Sequence, residues 1–152
     1  MLSVIIPTLD SAADLQGLLA ALVPAAMDGL VREVICADAG STDQTLEICE
    51  DTGAQVVAGG LVAAARAAKA EWVLVLPVEV QLPGGWAEAM KAHLMRGKRP
   101  AVVRGVREPG LAARFAAVPA GLLAEASKVV GQAETRDVKV LVRVLGEGAV
   151  RL

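Results

Sequence analysis

Two apolar runs that stop abruptly at small and acidic residues constrain this 152-residue chain more than any other feature. The first is Ser3-Val4-Ile5-Ile6-Pro7-Thr8-Leu9-Asp10. The second, one strand-helix-strand unit later, is Val34-Ile35-Cys36-Ala37-Asp38-Ala39-Gly40-Ser41-Thr42-Asp43-Gln44-Thr45. A strand covered on both faces reads as an unbroken apolar run, the pattern of a parallel sheet between helix layers. Open sheets of that kind bind ligands outside the carboxyl ends of their strands. Both runs therefore deliver their polar residues to the edge where a ligand would sit.

The rest of the chain keeps alternating strand and helix. Leu2 to Ile6 is the first strand. Leu15, Leu18, Leu19 and Leu22 follow at helical spacing, with Ser11 in N-cap position, so Ala12 to Leu22 is a helix that Pro24 and Gly29 break. Val31 to Ala37 is the second strand, Thr42 or Asp43 caps a helix through Asp51, and Gly53 ends it before a short strand from Gln55 to Ala58. Gly59-Gly60 opens an alanine-rich helix to about Ala70, and Trp72 to Leu76 is an apolar strand ended by Pro77. Trp86 to Met95 reads as a helix and Ala101 to Val106 as a strand. Leu111 to Val118 and Ala120 to Val130 read as two further helices. Asp137 to Leu145 fits a strand, through alternating Val138, Val140, Val142 and Val144, and also fits a helix. The expected class is α/β: one Rossmann-like domain over residues 1–152, with a mostly parallel central sheet and helices on both faces.

A net charge of −2 lacks the basic face from which nucleic-acid binding starts. The local run Lys91, Arg96, Lys98, Arg99, Arg104 and Arg107 reads as a solvated helix end and loop, with an anionic ligand or membrane surface as the alternative. No apolar stretch reaches the roughly 18–20 uncharged residues of a membrane span, and the start at Met1-Leu2-Ser3-Val4 has no feature of a secretory signal. A cytoplasmic protein is the expectation, and alanine-rich apolar surface is compatible with a homodimer. Cys36 and Cys49 lack metal-ligand spacing and read as reduced core residues. His93, the only histidine, excludes a multi-histidine metal site and is expected to face solvent.

Chemistry concentrates in the second run. Gly40 permits a tight turn, Ser41 and Thr42 bring hydroxyls, and the helix that follows offers unpaired N–H groups to an anion. Asp38 suits hydrogen bonding to a base or ribose. The same residues also read as helix caps and nothing more. Gly59-Gly60 has neither the dinucleotide fingerprint nor the lysine and serine of a phosphate loop.

Together with Trp72 to Trp86, the segments Ser3–Asp10 and Glu33–Thr45 resemble the family 2 glycosyltransferases of the GT-A fold, clearly over residues 2–95 and faintly beyond. The resemblance implies a nucleotide-diphospho-sugar donor, a UDP-sugar above all, whose sugar passes with inversion to an acceptor. It implies a nucleotide pocket drawn from Pro7, Thr8, Asp10, Asp38, Gly40, Ser41 and Asp43. Residues 1–100 would form the nucleotide-binding part and 101–152 a reduced acceptor-side part.

Where the family commonly reads Leu-Asp-Ala-Asp, this chain has Leu76-Pro77-Val78-Glu79. Glu79 is thus the implied ligand of a divalent Mg or Mn ion, or else an exposed loop glutamate. The stretch Thr135 to Gly146 is similar to the family's late helix and puts Asp137 in the place of the general base; the plainer reading is a helix N-cap. Elsewhere the chain departs from the family: Asp10-Ser11 replaces Asn-Glu, Ala39 replaces the second acid of Asp-Asp-Gly, and Leu61 and Val62 replace an Arg-Asn pair near the diphosphate. Two functions are therefore implied: an inverting transferase, and a non-catalytic nucleotide-sugar-binding or protein-interaction module with a degenerate metal and catalytic site.

Overall fold

The computed structural model describes residues 1–106, 110 and 117–152. Strands β1 (Leu2–Thr8), β2 (Val31–Asp38), β3 (Gln55–Ala58), β4 (Trp72–Val75), β5 (Ala101–Arg104), β6 (Ala120–Glu125) and β7 (Val150–Arg151) make one sheet in the order β3-β2-β1-β4-β6-β5-β7. The pairs β1–β2, β1–β4, β2–β3 and β5–β7 are parallel, while β6 runs antiparallel to both of its neighbours. The helices are α1 (Ala12–Met27), α2 (Thr45–Thr52), α3 (Leu61–Ala67), α4 (Trp86–Arg96), α5 (Ala126–Val130) and α6 (Val138–Leu145).

Side chains of a strand alternate between faces, and this sheet is covered on both. Leu2, Val4 and Ile6 of β1 join Leu15, Leu18 and Leu22 of α1 and Met90 of α4 in one core cluster. Ile5, Ile35, Val73 and Val75 join Leu61 and Ala64 of α3 and Leu141 of α6 in the other. Full burial of such side chains contributes about 1.5–3 kcal/mol each before chain entropy is counted. That two-sided cover is why β1 and β4 are apolar without alternation. Ser3, buried inside β1, is satisfied by donating to Glu33 Oε1 (2.6 Å) and accepting from Ala70 N (3.1 Å).

Several sequence expectations are corrected. Helix α1 does not break at Pro24 but runs on to Met27. The apolar stripe Leu15, Leu18, Leu22 continues to Ala25, which is buried, and that packing outweighs the one amide donor that proline lacks. Ser11 caps nothing with its side chain; its hydroxyl turns back to donate to Leu9 O (2.9 Å). Ala120 to Val130 is not one helix: Ala120–Glu125 is strand β6, and only Ala126–Val130 is helical. Leu122, Leu123 and Ala124 are buried between β4 and β5, so tertiary context overrides the helix propensity of Ala-Gly-Leu-Leu-Ala-Glu. The segment left open between strand and helix is α6, whose Val138 and Leu141 are buried while Val140 and Val144 are exposed.

His93 does not face solvent. It is 9% exposed, and its Nε2 lies 2.8 Å from the carbonyl of Arg99, an acceptor only, so that nitrogen donates. In the basic run, Lys91 pairs with Asp28 (3.0 Å) and Lys98 with Glu71 (3.2 Å). Arg107 and the expected helix from Leu111 lie outside the described residues. No described helix is long and apolar enough to cross a membrane.

Cys36 and Cys49 are both buried and unbridged. Burial, then a hydrogen bond with Cys49, pushes the Cys36 thiol far above its ordinary value, and burial raises Cys49 as well. The thiolate is the nucleophile, so neither sulfur is expected to react with iodoacetamide at pH 8 while the chain is folded. Mass spectrometry should find both alkylated only after unfolding; rapid modification of the folded chain would contradict this packing.

Candidate functional site

The parallel register places Thr8, the last residue of β1, beside Asp38, the last of β2. Asp38 is 6% exposed, and its carboxylate accepts four hydrogen bonds. Thr8 Oγ1 (2.8 Å) and Ser41 Oγ (2.6 Å) donate to Oδ1, and the amides of Gly40 (2.9 Å) and Ser41 (2.8 Å) donate to Oδ2. Burial alone would raise its pKa, but bonds from the Ser41 hydroxyl and amide, the Thr8 hydroxyl and the Gly40 amide hold it below the ordinary carboxylate range. Gly40 makes this possible with a φ of 102°, a conformation that residues bearing a Cβ avoid.

Two more carboxylates extend the network. Asp10, itself at φ 46°, accepts from the amides of Thr42 (2.7 Å) and Asp43 (3.3 Å) through one oxygen. Its own amide donates to Ser41 Oγ (2.9 Å). Asp43 accepts from the Thr45 hydroxyl (2.5 Å) and amide (2.9 Å), which lower its pKa, and from the Ala12 amide (3.3 Å). It thereby fastens the first turns of α1 and α2 together.

A cavity of about 300 Å³ opens at the carboxyl ends of the central strands. Among the residues picked from the sequence, Pro7, Thr8, Glu79 and Asp137 line it, so the ends of β1 and β4 and the start of α6 converge on one space. Asp10, Asp38, Gly40, Ser41 and Asp43 are not in its lining. They form the scaffold behind Thr8. The floor is small and apolar, with Ala37 and Ala39, and the α6 side brings Arg136 and Lys139 in beside Asp137. Asp137 is the N-cap of α6: its Oδ1 accepts from Lys139 N (2.9 Å), leaving its second oxygen without a bond to any described residue.

Sequence reasoning missed Glu134. Its carboxylate accepts from the amides of Val62 (2.9 Å) and Ala63 (3.0 Å), and the neighbouring Thr135 carbonyl accepts from Leu61 N (2.7 Å). The segment that carries Asp137 is thereby pinned to the first turn of α3. A partner some 72 positions away leaves no local signal, although an acid shortly before a capped helix was visible. Lys139 was also passed over, despite its place in the first turn of α6 next to the cavity.

The described side chains alone do not complete the ligand shell of a divalent cation. Such ions take six or more oxygen ligands, and no described group of three or more His, Cys, Asp or Glu side chains is placed to hold one. Of the two carboxylates in the cavity, Glu79 stands on an exposed loop, Asp137 gives one oxygen to its helix cap, and two cationic side chains share the space.

The sequence profile of Glycosyl transferase family 2 matches residues 3–116. The chain belongs to that family. Among solved structures, this family 2 chain is similar to S. aureus TarS 1–349 in complex with UDP, at 26% identity and a TM-score of 0.58, over 72% of this chain and 37% of that one. It is also similar to glucosyl-3-phosphoglycerate synthase from Mycobacterium tuberculosis in complex with UDP, at 18% identity and a TM-score of 0.67, over 99% of this chain and 69% of that one. The same M. tuberculosis enzyme in complex with Mn²⁺, UDP and glucosyl-3-phosphoglycerate gives a TM-score of 0.65 at 18% identity, over 99% and 68% of the two chains. The mixed α/β domain is thus the GT-A fold of these glycosyltransferases. The chain spans little more than a third of the length of TarS 1–349. No curated protein sequence matches it.

Proposed function

We propose that the chain binds a nucleoside-diphosphate sugar, of the uridine type, in the cavity at the ends of β1, β2 and β4, and transfers the sugar with inversion to an acceptor. The observation that carries this reading is convergence: Glu79 and Asp137, chosen from separate parts of the sequence, line the same cavity as Pro7 and Thr8. Family membership supports the donor class, and UDP is the ligand named for the TarS and M. tuberculosis structures. In this reaction Asp137 takes the acceptor hydroxyl proton while that oxygen bonds the anomeric carbon. The bond from that carbon to the β-phosphate oxygen breaks, and its electron pair leaves with UDP. Binding the nucleoside falls to Thr8 and the apolar floor, with Asp10, Asp38, Gly40, Ser41 and Asp43 holding the edge in shape.

A specific observation favours a second reading. Leu61 and Val62 are buried and apolar, and Asp137 is committed to a cap, as a nucleotide-sugar-binding module without turnover would allow.

Calorimetric titration with UDP and ADP, paired with an assay of UDP release from UDP-sugars, tests both. UDP is expected to bind and ADP to bind far more weakly. Asn caps helices as well as Asp, so Asp137→Asn should keep α6 and keep UDP affinity within about twofold while abolishing UDP release. Binding without release in the unmodified chain supports the module instead. No binding of UDP under any condition sinks both readings.

A further inference from the structure

Helix N-termini are the usual way a sheet edge of this kind meets phosphate, through unpaired amides and the helix dipole. In this chain several of these amides already have an acceptor of their own. The Ala12 amide of α1 goes to Asp43, and Thr45 of α2 to Asp43 as well. The Thr42 and Asp43 amides of the preceding turn go to Asp10. The first amides of α3 go to Thr135 O and both oxygens of Glu134, and Lys139 of α6 to Asp137. Those amides are therefore already engaged and not open to a diphosphate in the cavity.

Two side chains are free to meet it. Arg136 and Lys139 both line the cavity and stand on either side of Asp137, and their side chains have no hydrogen bond or ion pair among the described residues. Together they match the two negative charges of a sugar diphosphate, Arg136 with a planar fork suited to phosphate oxygens and Lys139 as a point charge. A dication beside them would face repulsion from both and would find, among the described carboxylates of the cavity, only Glu79 and the second oxygen of Asp137.

We propose that Arg136 and Lys139 neutralise the ligand's diphosphate in place of a divalent cation, so that nucleotide binding is independent of metal. This rests on the reading of the cavity as a nucleotide-sugar site. Thr8 and the floor then select the nucleoside, the arginine and lysine hold the diphosphate, and Glu79 remains free for the sugar or acceptor.

The test is calorimetric titration of the full chain with UDP and with uridine, in EDTA and in Mn²⁺, for the unmodified chain, Arg136→Ala, Lys139→Ala, their double variant and Glu79→Gln. UDP is expected to bind in EDTA, with Mn²⁺ changing its affinity less than about threefold. Each single variant should weaken UDP about tenfold, the double about a hundredfold, and uridine should be unaffected, because charge-assisted bonds to phosphate are removed and nothing else. Both side chains are exposed, and Lys139 contributes only its amide to the α6 cap, so the variants should keep the wild-type circular dichroism. UDP binding that requires Mn²⁺ and is lost in Glu79→Gln overturns this inference while leaving the nucleotide site standing. UDP binding indifferent to both cationic residues overturns it too. Failure of UDP and uridine alike to bind removes the site itself.

Discussion

Replacing Asp38 by alanine is expected to lower the unfolding free energy by roughly 3–5 kcal/mol, as a shift of the urea midpoint without a large change in slope. The reason is the number of donors it strands. Two hydroxyls and two amides point at this carboxylate in a largely buried position, and each donor left unmet costs about 1–3 kcal/mol, some of which water recovers. Asp38→Asn should be milder, near 1–2 kcal/mol, because the amide oxygen still accepts from Gly40 and Ser41 while the Thr8 and Ser41 hydroxyls rotate to accept from the new NH₂. If alanine and asparagine cost the same, the four-donor geometry is wrong.

The same group fixes a pH dependence. Its folded pKa lies below the ordinary value of 3.8, so the unfolded chain binds the proton more readily. The stabilisation is fully present above the unfolded value and disappears as pH falls through the lower folded value. Unfolding curves of the native chain and Asp38→Asn should therefore draw together below pH 3.8, and a gap that widened there would reverse the sign.

Gly60→Ala carries the second large effect, about 1–3 kcal/mol of overpacking and a loss of nucleotide affinity out of proportion to it. A Cβ at Gly60 would strike the Glu134 carboxylate and the Thr135 carbonyl, the latter at 2.6 Å. Backbone cannot swing aside as a flexible side chain can. The bonds of Thr135 and Glu134 to the Leu61, Val62 and Ala63 amides would open, and with them the anchorage of Arg136, Asp137 and Lys139 at the cavity. Hydrogen exchange reads this directly: those three amides should lose protection while β1 and β2 keep theirs. Unchanged exchange at Leu61–Ala63 would mean the contact yields without cost.

How far the sequence disclosed this arrangement depends on how local the cause is. Strands β1, β2 and β4 were legible because burial on both faces writes itself as an apolar run. β6 was not, since Ala-Gly-Leu-Leu-Ala-Glu favours helix locally and is a strand only because β4 and β5 flank it. Within the cavity, Thr8, Glu79 and Asp137 were found through short motifs at strand and helix ends. Asp43 was read as a helix cap and does accept from the first amide of α2, but the bonds of Thr8 to Asp38 and of Thr42 to Asp10 were hidden, because Thr8 lies 30 residues from Asp38 and Thr42 lies 32 from Asp10. Residue type announces that a carboxylate is present; only the fold reveals what it is already holding.

The place of β6 also bears on how the chain is made. Its strand comes late in the sequence yet sits in the interior of the sheet, wedged between β4 and β5. A ribosome therefore releases β4 with one hydrophobic edge bare, and that edge stays bare until Ala120–Glu125 has emerged. Any product ending earlier would expose Trp72–Val75 as a template for pairing with another chain. Residues 1–100 and 101–152 are therefore not modules that can be cut apart and expressed singly: the second stretch supplies the strand that seals the first.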